Sequence, residues 1–473
     1  MQKRFIDGIQ KKASKQPDHP PEPAKLIIPP KALSEANRQP TVKVKRRKRL
    51  WFLSIFLILI IVFLTSFWRG LLGEKMALIR LFLGLNGKYL VLFQNNTELR
   101  PGGGFIGSFA EVEVKNGLIK NWYFETNVHK RDKKFLAQKC IPLAPKIPNP
   151  VWPNGCMIMA SSNWSPDFQE SAEQVAWFYK QEGGNRVDGV IALDTTLFTD
   201  ILRLIGPIQM PKYNLTITAD NFVKETQYYV EKAYFEDPQN KAENEPKTIL
   251  KDMMPIVLER LKNPKLTCTI LTILKNNLRE KHLLFSFKDS GLMKITRKYN
   301  WGGEVKQTSG DYLYINNANL GGMKSSLNVK QNILLKVKVQ DDGSILNTLS
   351  ITRLHQGTGA WPDGTNQNYT RVLLPKGSAL VSKQGIDAVD FYEELDKTIF
   401  GFWTTVAPQE SKAFQISYLL PFKIGPKYNL LIQKQPGALA DQLNFILEGT
   451  SRWRWEGKID KDKIIEIDLT RKD

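Results

Sequence analysis

Apolar positions along this chain change their period several times. Leu50 to Trp68 (LWFLSIFLILIIVFLTSFW) is a run of nineteen residues without a charge. As a helix it would extend about 28 Å, close to the hydrocarbon thickness of a bilayer, and predicts a transmembrane helix. Lys75 to Leu85 follows as a linker helix. Lys88 to Phe93 (KYLVLF) reads as a buried strand, Phe105 to Lys115 alternates with period two, Asn116-Gly117 turns the chain, and Leu118 to Phe124 returns as the hairpin partner. Helical spacing appears over Ser165 to Gln181, with Ala172, Val175, Ala176 and Tyr179 on one face. A strand, Val187 to Leu193, leads to a helix, Thr195 to Ile205, which Gly206-Pro207 stops. Further helices are expected at Ala219 to Phe235, Lys247 to Lys262 and Leu266 to Lys281. This alternation predicts an α/β layered domain.

From Leu327 the pattern becomes one of short alternating strands: Ile333 to Gln340, a turn at Asp341-Asp342-Gly343, Ile345 to Arg353 and Thr370 to Leu374. It continues through Phe400 to Val406, Lys412 to Leu419, Tyr428 to Lys434, Leu443 to Leu447 and Lys463 to Leu469. Such spacing predicts an immunoglobulin-like β-sandwich. The chain thus divides into a tail (1–49), the span (50–68), a linker (69–87), the α/β domain (88–326) and the sandwich (327–473).

Charge orients this plan. The net charge is +20, and residues 1–49 carry half of it. Those residues also hold seven prolines and cannot build a core, so a disordered tail is expected. Lys43, Lys45, Arg46, Arg47, Lys48 and Arg49 abut the span, whereas only Arg69 and Lys75 follow it closely. The positive-inside rule then places the N-terminus in the cytoplasm and everything after the span outside, at the cell membrane. The remaining 424 residues are only mildly basic, which argues against a nucleic-acid partner.

Three cysteines and four histidines show no zinc-ligand spacing, so no metal is expected, and no motif identifies a cofactor. Outside the cytoplasm disulfides are allowed. Cys140 and Cys156 bracket a proline-rich stretch and are candidates for a bridge, two free thiols being the alternative. Cys268 lies in an apolar run and is expected to be a small buried hydrophobe.

One internal echo points to chemistry. Asn95-Asn96-Thr97-Glu98-Leu99 precedes Gly102-Gly103 much as Asn316-Asn317-Ala318-Asn319-Leu320 precedes Gly321-Gly322, and each run follows a strand. Ligands of open α/β sheets bind outside the carboxyl ends of strands. The candidate ligand-binding residues are therefore Asn95, Asn96, Glu98, Arg100, Gly103, Asn316, Asn317, Asn319 and Lys324, with Arg100 and Lys324 suited to an anionic group. Turn formation by Asn and Gly is the alternative. Asp167, Asp188 and Asp194 are candidates for an acid site, although Asp after Ser-Pro commonly starts a helix. Trp164 suits a core better than a sugar platform, and Trp361, Trp453 and Trp455 are weaker carbohydrate candidates. P-loop and Gly-x-Ser-x-Gly motifs are absent, and His129 and His282 have no identifiable nucleophile partner in the sequence.

The strings YLVLFQNNTELRPGGGFIGSFAEVEVKNGLI, SSNWSPDFQESAEQVAWFY, VDGVIALDTTLFTDILRLIGPI and NANLGGMKS together resemble a bacterial membrane-anchored family, domain of unknown function four-zero-one-two. That resemblance implies a cell-envelope setting. A more distant one, in the order of strand, Arg loop, hairpin and helix, is to the LytR/CpsA/Psr phosphotransferases. It implies a polyprenyl-linked glycan or cell-wall polymer as ligand and a phosphotransferase-like activity. Asn95 or Asn96 stands where that family has its first Asp, Arg100 matches one arginine, and Glu125 stands near its Arg-Asp pair. Ala219 to Phe235, where the family has an Arg-rich helix, contains no arginine. Too few cations then remain for diphosphate transfer. The sequence supports binding of a lipid-linked or anionic glycan; a non-catalytic surface scaffold is the alternative.

Overall fold

The computed structural model describes residues 73–141, 155–236, 238–243, 245–449 and 452–470. The expected tail and the expected span Leu50 to Trp68 lie outside them. Among the described residues no helix is long and apolar enough to cross a membrane.

The first layer opens with α1 (73–84), β1 (Gly87–Arg100), β2 (Gly103–Lys115), β3 (Leu118–Glu125) and α2 (His129–Leu136). Then come α3 (Phe168–Gln181), β4 (Gly189–Asp194), α4 (Thr195–Ile205), a small pair β5 (Ile208–Met210) and β6 (Leu215–Ile217), and α5 (Phe222–Tyr228). A π turn, Tyr229–Ala233, carries α5 into α6 (Tyr234–Glu236). It ends with α7 (Pro238–Glu243), α8 (Thr248–Leu261), α9 (Thr267–Arg279), β7 (Leu283–Phe287) and α10 (Ser290–Lys298). The larger sheet has the order β3-β2-β1-β4-β7, and within it β1 and β4 alone run parallel.

Local chemistry explains the punctuation. Asn116 and Gly117 both take positive φ, 53° and 73°, the backbone of a tight hairpin turn that matches strand twist. Asp167 and Asp194 cap α3 and α4, each accepting from backbone N–H groups of the first turn. Phe168, Ala172, Val175 and Tyr179 fall at helical spacing and bury against Leu90, Leu92, Phe109 and Val190 of the sheet. On the opposite face Leu78 and Leu81 of α1 pack with Tyr89, Val114 and Phe285.

The remaining strands are β8 (Asp311–Asn319), β9 (Val329–Val339), β10 (Ser344–His355), β11 (Asn366–Pro375), β12 (Ala379–Gln384) and β13 (Asp390–Glu394). They continue with β14 (Lys397–Val406), β15 (Ser411–Lys423), β16 (Lys427–Gln433), β17 (Asp441–Glu448), β18 (Arg452–Ile459) and β19 (Lys463–Asp468). They form two six-stranded sheets, β12-β15-β10-β9-β17-β18 and β13-β14-β11-β8-β16-β19. Alternate residues such as Ile333, Leu335 and Val337 of β9 and Val372 and Leu374 of β11 fill a sandwich core. Layering is as expected, but the strand count exceeds the roughly seven to nine of an immunoglobulin domain.

Three expectations need correction. The sandwich starts with β8 at Asp311 and not at 327, because β8 pairs with β11 and β16 inside the second sheet. Both Asn runs lie within strands and not in loops, because β1 continues to Arg100 and β8 to Asn319. Cys268 is exposed, because the first turn of α9 projects beyond the partly buried stretch Ile270 to Leu274. Cys140 and Cys156 are joined, with Cα atoms 5.3 Å apart.

Asp311 is an acid inside the sandwich. It accepts from Tyr428 Oη at 2.6 Å, Asn347 Nδ2 at 2.8 Å and Tyr312 N at 2.7 Å. Burial pushes its carboxyl up to about 6 against the pull of these donors, and burial does the same to Asp441. An acid whose folded pKa lies above its unfolded value of about 3.9 costs stability as pH rises between the two. In Asp311→Asn that cost is absent. The variant should therefore gain on the wild type by about 2–3 kcal/mol between pH 4 and 6 and hold that gain above. Urea unfolding across this range checks it; a constant difference would refute the assignment.

Candidate functional site

The carboxyl half of β1 leaves regular pairing with β2, the register shifting after Phe93 and again between Asn95 and Leu99. The strand bulges, and Asn95 Oδ1 closes the bulge by accepting from Thr97 N at 3.1 Å. Beyond the bulge the strand is enclosed. Arg100 is 1% exposed; its Nη1 donates to Asn319 O and Leu99 O, and its Nη2 to Glu98 Oε1 at 2.6 Å. Gly104 lies so close to Asn95 that a Cβ there would fall 2.5 Å from the Asn95 carbonyl carbon.

The two Asn runs do meet, packed on each other. Asn316 Nδ2 donates to Pro101 O at 3.1 Å, and Gln435 Nε2 bridges Arg100 O and Asn317 O at 3.2 and 2.7 Å. Asn317 also accepts from Asn368 and Thr370, Asn319 donates to Met323 O, and Asn96 bonds Thr195, Thr196 and Gly437. Gly103, with φ 130°, packs against Gln94. Of the nine candidates, Asn96, Arg100, Gly103, Asn316, Asn317 and Asn319 thus sit in a seam joining the sheet to the sandwich.

Asn95 and Lys324 instead line a cavity of about 520 Å³, a size that suits a small-molecule ligand. Its walls are chiefly aromatic and aliphatic: Phe93 and Leu193 from the sheet, Phe105 and Phe124 from the hairpin, Phe198 from α4, Phe222 from α5, Leu250 and Met254 from α8. Phe198 stacks on Phe222 with ring centres 4.7 Å apart. Polar groups converge at one side: Asn95, Gln227, Glu231, Lys247 and Lys324, with His129 and Lys133 alongside. Asn95 Nδ2 donates to Gln227 Oε1 at 3.3 Å.

The cations differ in how they are balanced. Lys324 pairs with Glu98 and stands 3.6 Å from Glu231. Burial would raise the Glu98 carboxyl, but the charges of Arg100 and Lys324 outweigh it and hold the group low. Lys247 donates to Gly107 O at 2.6 Å and Thr126 O at 3.3 Å. Among the described residues it has no ion pair. Burial, then the charge of Lys324, pushes its ammonium down to about 8, against the pull of Glu231 and Glu125. A Cβ on Gly107 would come within 3.1 Å of this nitrogen, so the glycine makes its place.

Lys247 is absent from the candidates drawn from the sequence, yet a signal exists. It stands at the N-cap of α8, after Glu245-Pro246, where the helix dipole disfavours a cation. The three acids do not form a site: Asp167 caps α3, Asp188 accepts from Lys88 N at 2.9 Å, and Asp194 caps α4. Asp194 also lies 2.6 Å from His282 Nδ1. Trp164 is buried with the Arg371 guanidinium over its ring, and Trp361 carries Lys232 Nζ 4.2 Å from its ring centre. Trp453 and Trp455 pack partly against the sandwich core. No group of three metal-ligating side chains is found among the described residues.

This bulged strand, hairpin and helix layer is the region that defines the class. Residues 86–230 match the model of the family described as "Protein of unknown function (DUF4012)". No curated protein matches the sequence. Among solved structures, a Legionella pneumophila protein described as nutrient-binding is 10% identical, with a TM-score of 0.22, covering 33% of this chain and 70% of its own. The M1 zinc metallopeptidase of Deinococcus radiodurans is 12% identical with a TM-score of 0.17, covering 25% of this chain and 32% of its own. Both scores are too low for either likeness to bear on the fold or function.

Arg100→Ala should destabilise the protein by about 3 kcal/mol, since it strips a buried pair and strands the Asn319 carbonyl. Lys247→Met gives up two hydrogen bonds to backbone carbonyls but also removes an enclosed charge, so stability should change by less than about 1 kcal/mol. Denaturant midpoints of the two variants check the contrast; equal losses would contradict it.

Proposed function

We propose that this chain is a single-pass envelope protein, anchored through Leu50 to Trp68 with its N-terminus in the cytoplasm, whose α/β region binds an amphipathic anionic ligand. The ligand's apolar chain occupies the aromatic cavity, and its phosphate or carboxylate meets Lys247 and Lys324. A polyprenyl-linked glycan has this chemistry.

The observation that carries the reading is Lys247, an ammonium on an apolar cavity with no carboxylate partner among the described residues. An enclosed charge of this kind is costly, and a ligand anion would offset that cost. The cavity's aromatic walls favour a hydrocarbon chain by about 25 cal/mol for each Å² removed from water. The proposal stops at binding. Lys324 already shares its charge with Glu98 and Glu231, so less positive charge remains than diphosphate transfer asks for.

A scaffold role has one observation in its favour, the exposed edge of the sandwich. All six residues of β12 are exposed, and Phe391 of β13 is 57% exposed. Its mark would be a protein partner retained equally by wild type and Lys247→Met.

Mass spectrometry of lipids retained by the full chain in mild detergent tests ligand binding. Wild type should hold an anionic, long-chain species, and Lys247→Met at least about tenfold less, the loss of one charge-assisted contact. A bound anion raises the Lys247 pKa, so retention should weaken as pH rises through about 8 in wild type and not in the variant. An empty, folded wild-type chain, or equal retention by both, would overturn the reading.

A further inference from the structure

The edge strand β3 is exposed over six of its eight residues, and four of those six are large and apolar or aromatic: Leu118 (63%), Ile119 (58%), Trp122 (39%) and Tyr123 (49%). An edge of this kind invites pairing with other chains unless something covers it. Leu83 (66%) of α1 lies against the hairpin turn at Gly117, and Met76 (47%) is exposed two turns earlier on the same helix. The two elements are fixed together, since Gly117 N donates to Leu85 O at 3.0 Å and Val114 shares a core cluster with Leu78 and Leu81. Exposed Arg80, Lys115 and Lys120 belong to the same elements.

Resting on the anchor reading above, we propose that this α1 and hairpin face lies in the headgroup layer of the outer leaflet, with anionic lipid as its occupant. Sequence arithmetic argues for the bilayer over a protein. Four residues, 69–72, separate the uncharged run from α1, and such a link reaches no more than about 18 Å. Any bilayer that holds the run therefore brings the start of α1 within that distance of its surface, and the hairpin tip, at the other end of a helix about 18 Å long, meets that surface when α1 lies along it. Large apolar side chains, one tryptophan and a fringe of Lys and Arg are the composition that an interface with anionic lipid selects. β1 and β3 run from the hairpin tip towards the cavity.

The test uses the full chain with a nitroxide at Ile119→Cys, in a Cys268→Ser background that leaves the 140–156 bridge alone. The chain is reconstituted into phosphatidylglycerol and phosphatidylcholine vesicles, and a label at Val381→Cys, exposed on the sandwich, serves as reference. The label at 119 should collide with oxygen in preference to a water-soluble nickel complex, with a ratio several-fold above that at 381. Equal, aqueous ratios in a chain that floats with the vesicles would overturn this proposal and leave the anchor standing. A chain that does not float overturns both. Dipolar broadening at 119 would make the face a contact between two copies, and would also overturn it.

Discussion

Burying a guanidinium obliges a fold to surround it with acceptors, and the architecture here is arranged around Arg100. Its charge cannot be left unpaired in a site 1% exposed to water. Glu98 supplies the counter-charge from two residues away, on the same face of the strand beyond the bulge. Asn319 O supplies a second acceptor from β8, so satisfying Arg100 brings the carboxyl end of the central strand of one sheet against a central strand of another. Lys281 repeats the logic nearby, paired at 2.6 Å with Asp462 and donating to Lys434 O. The α/β layer and the sandwich are thus joined through polar groups whose partners lie across the seam.

The same pairing decides what the cavity can do. Because Arg100 and Lys324 both draw on Glu98, neither presents a full free charge to the cavity. Phe105 lies beneath both cations, 5.4 and 5.6 Å from ring centre to charge, and separates the seam from the apolar space. Lys247 comes from a different element and has backbone carbonyls for partners. Carbonyl dipoles hold an ammonium in position without neutralising it. The positive charge that the cavity meets unpaired is therefore concentrated on the residue that the seam does not use.

Much of the fold was legible because it rests on local rules. Period-two and helical spacing located the β2–β3 hairpin, α3, α4 and most sandwich strands, and Asn116-Gly117 announced the turn by its backbone demands. β12 escaped because none of its residues is buried, which leaves no alternation to detect. The Asn echo was legible as a pattern and misleading as chemistry. Asn side chains that satisfy buried backbone groups look, in sequence, like Asn side chains awaiting a ligand. Arg100 was misjudged for the same reason, since its partner Asn319 O lies 219 positions away and is a backbone atom. Lys247 converges on the cavity with Lys324 and Asn95 through tertiary packing alone. Only its place against the helix dipole marks it locally.

Strand β3 ties the proposed lipid-facing surface to the cavity. Trp122 pairs with Val112, which pairs with Tyr89, while Phe124 pairs with Ala110 and lines the cavity beside Phe93, their rings 5.2 Å apart. In a pleated strand residues two apart share a face, so Trp122 and Phe124 point the same way. From Leu118 at the tip to Phe124 is about 20 Å of strand. A headgroup resting at the tip would therefore lie well below the cavity. An ordinary acyl chain would have to leave the bilayer almost entirely to fill the aromatic walls, at a cost of about 0.8 kcal/mol per methylene exposed on the way. A longer, polyprenyl-like chain can keep one end in the membrane while another part occupies the cavity. On the proposed placement, the distance from the hairpin tip to the cavity thus argues for chain length, independently of the charge at Lys247.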